Sequence, residues 1–292
     1  MKVLWWTSFR PFGISNDNDN TQNIFLNSIK YHKSNITLIV TQFGEQNVKK
    51  SLVRQDINFI FKEYPKKKLP NKERFSNKIM CENALKEYCK VFSDYNYLIY
   101  STCDIIVPNN ILQELNNIKY KNFMAYVFPN ILVKNSKMLK NIFPLYGIDL
   151  IVFKIDKIKA NKFLELNKDW EQYGWGVNEH YFMSMKDALD LPSVNLWKKM
   201  DIIKFENDFN TFDESRSGQI SEWKKNKNFF LKYLKKNNLS CFWALGSYYF
   251  IIFKHFNFRY LTPLLLIKYC MVFIQAPLVL IYKILRLKNY IK

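Results

Sequence analysis

Short apolar runs alternate with amphipathic stretches along the first 60 residues of the chain. Apolar runs of about four to eight residues that are rich in β-branched and aromatic side chains predict strands, whereas apolar positions with a helical period predict helices. The pattern predicts strands over residues 3–6, 36–40 and 57–61 and helices over residues 21–31 and 48–53. This alternating order favours a parallel sheet with right-handed crossovers.

The stretch over residues 14–20 is rich in Asn and Asp, which disfavour regular structure, so we expect a loop that ends where Thr21 caps the first helix. The same rules predict helices over residues 74–92 and 111–116 and a strand over residues 123–128. The predicted fold class is therefore α/β, with a parallel sheet flanked by helices.

An apolar run that begins at Tyr97 predicts a strand buried on both faces, and it ends shortly before Asp104. In open α/β sheets, ligands bind outside the carboxyl ends of the strands. Asp104 is therefore predicted to lie where a metal ion or a nucleotide ribose would be held. The alternative is that Asp104 is only a turn or capping carboxylate.

A second candidate region surrounds Trp175. Three of the seven glycines fall within residues 147–176, and two of them flank this tryptophan. Clustering of a rare residue suggests that the backbone comes close to a ligand. Glu179 and His180, at the start of a helix predicted over residues 179–189, are then functional candidates. Alternatively, they are ordinary helix-start residues, with Glu179 favoured by the helix dipole.

The charge of the chain is distributed unevenly. The net charge is +19, and no carboxylate follows Glu222, whereas 13 Lys and Arg residues do. We therefore predict a catalytic domain over residues 1–222 and a basic, apolar, helical region over residues 223–292. Positive charge calls for an anionic partner, and the almost wholly apolar segment over residues 260–285 favours an anionic membrane over nucleic acid. The alternative is an ordinary pair of buried helices.

The part of this segment over residues 260–281 is just long enough to span a bilayer, but Pro263, Lys268 and Pro277 interrupt it. These residues favour helices that lie in the membrane interface. The five cysteines form neither a metal-binding spacing nor a disulfide framework, and the apolar run at the N-terminus is too short for a signal peptide. We therefore expect a peripheral or monotopic protein at the cytoplasmic face of the inner membrane.

Several common catalytic motifs are missing from the sequence. It contains no GxGxxG after its first strand and no GxxxxGK[ST], GxSxG or HExxH. Hydrolase and nicotinamide-enzyme functions therefore lose support. A sugar transfer from a nucleotide diphosphate needs charge neutralisation on the leaving diphosphate and a base for the acceptor hydroxyl. Asp104, through a divalent cation, and Glu179 are candidates for these two tasks.

Residues 1 to about 200 resemble the GT-A-fold glycosyltransferases of the nucleotide-diphospho-sugar transferase superfamily, of the bacterial surface-polysaccharide kind. The motifs that carry the resemblance are the opening β-α-β pattern, the TQNIFLNSI helix, LIYSTCDIIVP in the position of the DxD motif, and YGWGVNEHYF in the position of the GWGxED motif. The resemblance implies a GT-A fold, in which a Rossmann-like, mixed and mainly parallel sheet is flanked by helices, and a nucleotide-sugar donor. It also implies a glycan or lipid-linked acceptor and a role in lipopolysaccharide or capsule biosynthesis.

The resemblance also implies roles for individual residues. Mn²⁺ or Mg²⁺ would bind Asp104, with His180 as a further ligand, and Glu179 would be the catalytic base. The donor would be contacted by residues in the two motifs and at the end of the first strand: Thr7, Arg10, Thr102, Asp104 and Trp175.

Two positions depart from the family pattern. Thr102 stands where the DxD motif has its first acid, which leaves metal dependence open, and Glu179 replaces the usual Asp of the second motif. The alternative function is therefore a non-catalytic, membrane-docked protein of the same fold that binds a nucleotide sugar or a glycan. A nucleic-acid-binding protein, suggested only by the charge, and a nucleotidyltransferase are weaker alternatives.

Overall fold

The computed structural model describes residues 1–9, 12–13, 15–43, 47–64, 77–90, 94–134, 137–140, 148–170, 178–197, 199–206 and 228–239. Two sheets and the helices around them make up this part of the chain.

The larger sheet has seven strands in the order β10-β6-β9-β4-β1-β2-β3. These strands are β1 (Val3–Ser8), β2 (Ile36–Phe43), β3 (Phe59–Tyr64), β4 (Tyr97–Thr102), β6 (Phe123–Val127), β9 (Leu150–Lys154) and β10 (Ser193–Asn195). Neighbouring strands are parallel except where β9 lies antiparallel between β4 and β6. The predicted α/β class with a mixed, mainly parallel sheet is confirmed.

The smaller sheet has the order β5-β11-β7-β8. Its strands are β5 (Ile105–Ile106), β7 (Ile131–Lys134), β8 (Lys137–Lys140) and β11 (Ile203–Glu206). Because β5 follows β4 after only two residues, the smaller sheet begins at the carboxyl end of the central strands of the larger one.

Helices cover both faces of the larger sheet. They are α1 (Asn16–Lys30), α2 (Val48–Val53), α3 (Asn77–Tyr88), α4 (Ile111–Asn116), α5 (Lys157–Asn167) and α6 (Asn178–Ala188). Residues 228–236 form a further helix. The predicted bounds of α2 and α4 are confirmed.

Alternation along β1 divides the core into two halves. Val3 and Trp5 lie in the half that contains side chains of α1, α2 and α4, whereas Leu4 and Trp6 lie in the half that contains side chains of α3, α5 and α6. Successive side chains of a strand point to opposite faces, so a strand buried on both sides is apolar throughout. Full burial of one such side chain contributes roughly 1.5–3 kcal/mol.

The predicted loop over residues 14–20 is wrong in most of its length, because α1 begins at Asn16. Asp17 and Asp19 lie in the first turn, where carboxylates interact favourably with the positive end of the helix dipole. Thr21 is therefore a buried residue inside the helix rather than its cap. The composition of the stretch was a weaker signal than the position of its carboxylates.

The helix over residues 228–236 packs onto the part of the chain that precedes the predicted boundary between residues 222 and 223. Phe230 and Tyr233 are buried, and their rings lie 5.5 Å and 5.4 Å from the ring of Trp170. The Tyr233 hydroxyl also lies 3.7 Å from the sulfur of Met185. The boundary itself lies outside the described residues, as do residues 240–292 with the predicted membrane-associating segment. Among the helices that the structure describes, none has the length and apolar character needed to cross a bilayer.

Candidate functional site

Asp104 lies in the link between β4 and β5, at the carboxyl end of the larger sheet. The backbone oxygen of Asp104 accepts a hydrogen bond of 2.8 Å from the Phe205 amide, which ties the link to β11. One third of the side chain, 33%, is exposed, whereas its Oδ1 atom is buried and has no hydrogen-bond partner in the described part of the chain. Asp104 therefore lies at the carboxyl edge of the sheet, as the sequence predicted, and its role in ligand binding stays a prediction.

Asp149 lies beside this link because β9 runs against its neighbours. Leu150, the first residue of β9, pairs with Ser101 near the end of β4, so the residue before β9 reaches the same edge as the residues after β4. The backbone oxygen of Asp149 accepts a hydrogen bond of 3.3 Å from the Thr102 amide. The Thr102 hydroxyl lies 3.5 Å from Asp149 Oδ1.

Lys204 of β11 supplies a positive charge to this pair of carboxylates. Its ammonium nitrogen lies 2.5 Å from Asp149 Oδ1 and 3.7 Å from Asp104 Oδ2. The side chains of Asp149 and Lys204 are only 5% and 15% exposed. A carboxylate so far removed from water needs a counter-charge and hydrogen-bond donors, and Lys204 and Thr102 provide both.

Thr7 occupies the predicted position near the end of β1 and is 1% exposed. Its hydroxyl donates a hydrogen bond of 2.7 Å to the backbone oxygen of Ser101. The Ser101 hydroxyl in turn accepts one of 2.9 Å from the indole nitrogen of Trp5. These bonds fix the end of β4 next to the candidate site.

The remaining predicted site residues are described only in part. Arg10, Trp175 and the side chain of Glu179 lie outside the described residues. His180 lies in the first turn of α6, with its ring 6.5 Å from the ring of Phe230. The proposed roles of these four residues stay predictions.

Within the described ranges, no group of three or more His, Cys, Asp and Glu side chains is placed to hold a metal ion. Two carboxylates at the sheet edge, those of Asp104 and Asp149, already share the Lys204 ammonium. Such a set of side chains does not fit a divalent cation, because a cation that bridged the two carboxylates would lie close to the ammonium that they already contact.

Sequence reasoning missed Asp149 and Lys204 as site residues. Both carry a signal of the same kind: Asp149 stands directly before the apolar run LIVF, and Lys204 interrupts the apolar run IIKF. A single charge at the end of a buried strand, or inside one, needs a partner of opposite charge. That rule would have marked both residues without identifying them as partners.

Comparison with protein-family models finds no match for this chain, and comparison with curated proteins finds none either. Solved structures of similar shape do exist. One is a protein from Desulfovibrio desulfuricans G20 assigned as a nucleotide-diphospho-sugar transferase, with 11% identity over 80% of this chain and 99% of that one, and a TM-score of 0.40.

Two other solved structures show a likeness of the same kind. 4-Diphosphocytidyl-2C-methyl-D-erythritol synthase from Anaerococcus prevotii is 10% identical over 79% of this chain and 98% of its own, with a TM-score of 0.40. GalNAc-T7 with UDP, GalNAc and Mn²⁺ is 10% identical over 80% of this chain and 48% of its own, with a TM-score of 0.48. Each of these likenesses concerns the fold alone. They are too distant to assign a residue role or an activity to this chain.

Proposed function

We propose that this protein is a glycosyltransferase that moves a sugar from a nucleotide-diphosphate donor to a glycan or lipid-linked acceptor in cell-surface glycan biosynthesis. The observation that carries the proposal is the cluster of Asp104, Asp149 and Lys204 at the carboxyl edge of a mainly parallel sheet. Ligands of open α/β sheets bind at this edge. The motif resemblance supports the choice of a nucleotide sugar as the ligand.

In the proposed reaction, the acceptor hydroxyl oxygen forms a bond to the anomeric carbon of the sugar, and the bond from that carbon to the diphosphate breaks. The diphosphate leaves with the electron pair, and Glu179, as the predicted base, takes the hydroxyl proton. Asp104 holds the donor by accepting hydrogen bonds from hydroxyl groups, since an ionised carboxylate has acceptor capacity only. Thr102 and Lys204 keep Asp149 in place beside it.

The proposed acceptor follows from the last part of the sequence. A basic region with long apolar runs suits the interface of an anionic membrane, where lipid-linked glycans are found. We therefore propose that the protein works at the cytoplasmic face of the inner membrane, as a peripheral or monotopic enzyme.

Donor binding tests the central proposal. Calorimetry with UDP, GDP and CMP, each with EDTA and with Mn²⁺, is expected to show one preferred nucleotide, and Asp104→Asn is expected to weaken its binding. Asp94→Asn is a matched control, because Asp94 lies before β4, at the opposite edge of the sheet, and pairs with Lys2. Absence of binding by every nucleotide under both conditions would overturn the donor site.

Turnover separates the proposed enzyme from its alternatives. A glycosyltransferase releases a nucleoside diphosphate when donor and acceptor are present together. A nucleotidyltransferase would release pyrophosphate from a nucleoside triphosphate and a sugar phosphate. A nucleotide sugar that binds without either product would favour the non-catalytic binding protein.

A further inference from the structure

We infer that Lys204 is a built-in cation that takes the place of a divalent metal ion at the Asp104 and Asp149 carboxylates. The site then binds its donor without Mn²⁺ or Mg²⁺. This inference deepens the proposed function and rests on it for the identity of the donor. The competition between the Lys204 ammonium and a metal ion for the two carboxylates can be measured on the protein without a donor.

The first support is the position of the ammonium. Lys204 Nζ reaches oxygen atoms of both carboxylates, at 2.5 Å from Asp149 and 3.7 Å from Asp104. A divalent ion that bridged these carboxylates would lie close to the ammonium, whichever of their oxygens it bound. Two positive charges cannot share this space without strong repulsion, since repulsion grows as the distance and the effective dielectric constant fall.

The second support is the way in which Lys204 is held. Lys204 pairs with Ile105 in β5 on one side of β11 and with Leu132 in β7 on the other. The lysine is therefore placed by backbone pairing in the middle of a strand, and its side chain is only 15% exposed. A side chain on a strand that is paired on both sides is held in a more precise position than a side chain on a loop.

The third support is the kind of ligand that the site can bind while Lys204 is in place. With Lys204 present, the three charged groups sum to a net charge of −1, and Asp104 Oδ1 is a buried acceptor without a hydrogen-bond partner in the described part of the chain. Such an acceptor suits a neutral hydroxyl donor, for example a ribose diol, which needs no metal. Without Lys204, the net charge of the two carboxylates would be −2, which would attract a divalent ion.

Mn²⁺ binding, followed by electron paramagnetic resonance in the absence of nucleotide, tests the inference on the whole chain. Wild type is expected to bind Mn²⁺ only weakly. Lys204→Met, which keeps the length of the side chain and removes its charge, is expected to bind Mn²⁺ about tenfold more tightly or better. The gain should disappear in the double variant Lys204→Met/Asp149→Asn. Lys199→Met, at an exposed position nearby, should behave as wild type.

The outcome does not depend on one variant. Tight Mn²⁺ binding by wild type that Asp104→Asn abolishes would overturn the inference even if Lys204→Met failed to fold. So would a Lys204→Met protein with a native circular dichroism spectrum and no gain in Mn²⁺ affinity. Nucleotide binding by wild type that persists in EDTA would support it.

Failure of the proposed function would look different. In that case no nucleotide would bind, with or without metal, while the exchange of Lys204 for Mn²⁺ would still be seen in the variants. Mn²⁺-dependent nucleotide binding by wild type would leave the transferase proposal standing and remove the built-in cation.

Discussion

The ammonium of Lys204 and the carboxylate of Asp149 lie 2.5 Å apart, although 55 residues separate them along the chain. One residue lies in the smaller sheet and the other directly before β9 of the larger sheet. Their ion pair therefore joins the two sheets beside Asp104, which lies in the link between β4 of the larger sheet and β5 of the smaller one.

Asp149→Asn should lower the free energy of unfolding by about 2–3 kcal/mol, because it removes the charge of the nearer of the two carboxylates that face the Lys204 ammonium. Urea denaturation followed by circular dichroism measures the change. Asp169→Asn is the control, since its partner Lys236 is 67% exposed and such pairs contribute at most about 1 kcal/mol. Equal effects of the two substitutions would contradict the special position of Asp149.

The helix over residues 228–236 should be part of the domain that precedes it. Phe230→Ala should cost about 3–4 kcal/mol, since the Phe230 side chain is fully buried next to Trp170. Phe229→Ala, one position earlier and 38% exposed, should cost about 1 kcal/mol or less. Thermal or urea unfolding of the two variants gives the comparison. A Phe230→Ala protein as stable as Phe229→Ala would show that this helix folds apart from the domain.

Asp156 should stabilise the start of α5 in a pH-dependent way. Its carboxylate accepts a hydrogen bond of 2.9 Å from the Lys159 amide, and this bond lowers the pKa of Asp156 below its usual value of 3.8. The lowered pKa makes the stabilisation complete above pH 3.8 and removes it as the pH falls through the folded-state pKa. Asp156→Ala should cost about 1 kcal/mol at neutral pH.

Asp156→Asn is the matched control, because an amide oxygen can cap the helix without titrating. The difference in unfolding free energy between wild type and Asp156→Ala should shrink in acid. Urea titrations at several acidic pH values measure this change. A difference that stayed constant down to pH 2 would contradict the capping role.

His32 should make the protein less stable in mild acid. The ring is buried, its Nε2 atom lies 3.3 Å from the backbone oxygen of Pro108, and burial lowers the pKa of His32 below its usual 6.5. Around and below pH 6.5 the unfolded chain therefore binds a proton more readily than the folded one, so stability falls as the pH falls.

His32→Asn removes this titration, and the other two histidines are unchanged. Wild type should lose more stability than His32→Asn between pH 7 and pH 5 when unfolding is measured with urea. Parallel pH profiles for the two proteins would show that His32 does not contribute to the acid sensitivity.

The sequence allowed the order of elements around the central strands to be predicted. Strands such as Tyr97–Thr102 begin with a continuous apolar run because both faces are covered, and this signal does not depend on distant residues. Asp104 could be placed at the sheet edge for the same reason. The start of α1 was predicted too late, because the prediction gave more weight to the loop-like composition of the stretch than to the favourable position of Asp17 and Asp19.

The rest of the site could not be predicted, because it depends on strand direction. Hydrophobic periodicity identifies β9 as a strand but does not say that it runs against β4, and only this direction brings Asp149 to Asp104. Lys204 depends on the smaller sheet, whose strand β5 has two residues. So short a strand leaves no periodic pattern, and its pairing with β11 is fixed by tertiary contacts alone.

The separation of Asp149 and Lys204 along the chain also determines when they can meet during synthesis. A nascent chain that has been made as far as α6 contains both carboxylates but not yet the ammonium, because β11 follows later in the sequence. Long-range contacts of this kind also carry a loop-closure entropy that must be offset before they form. The cluster of Asp104, Asp149 and Lys204 can therefore form only after the translation of β11, when the strands of the larger sheet have already been made.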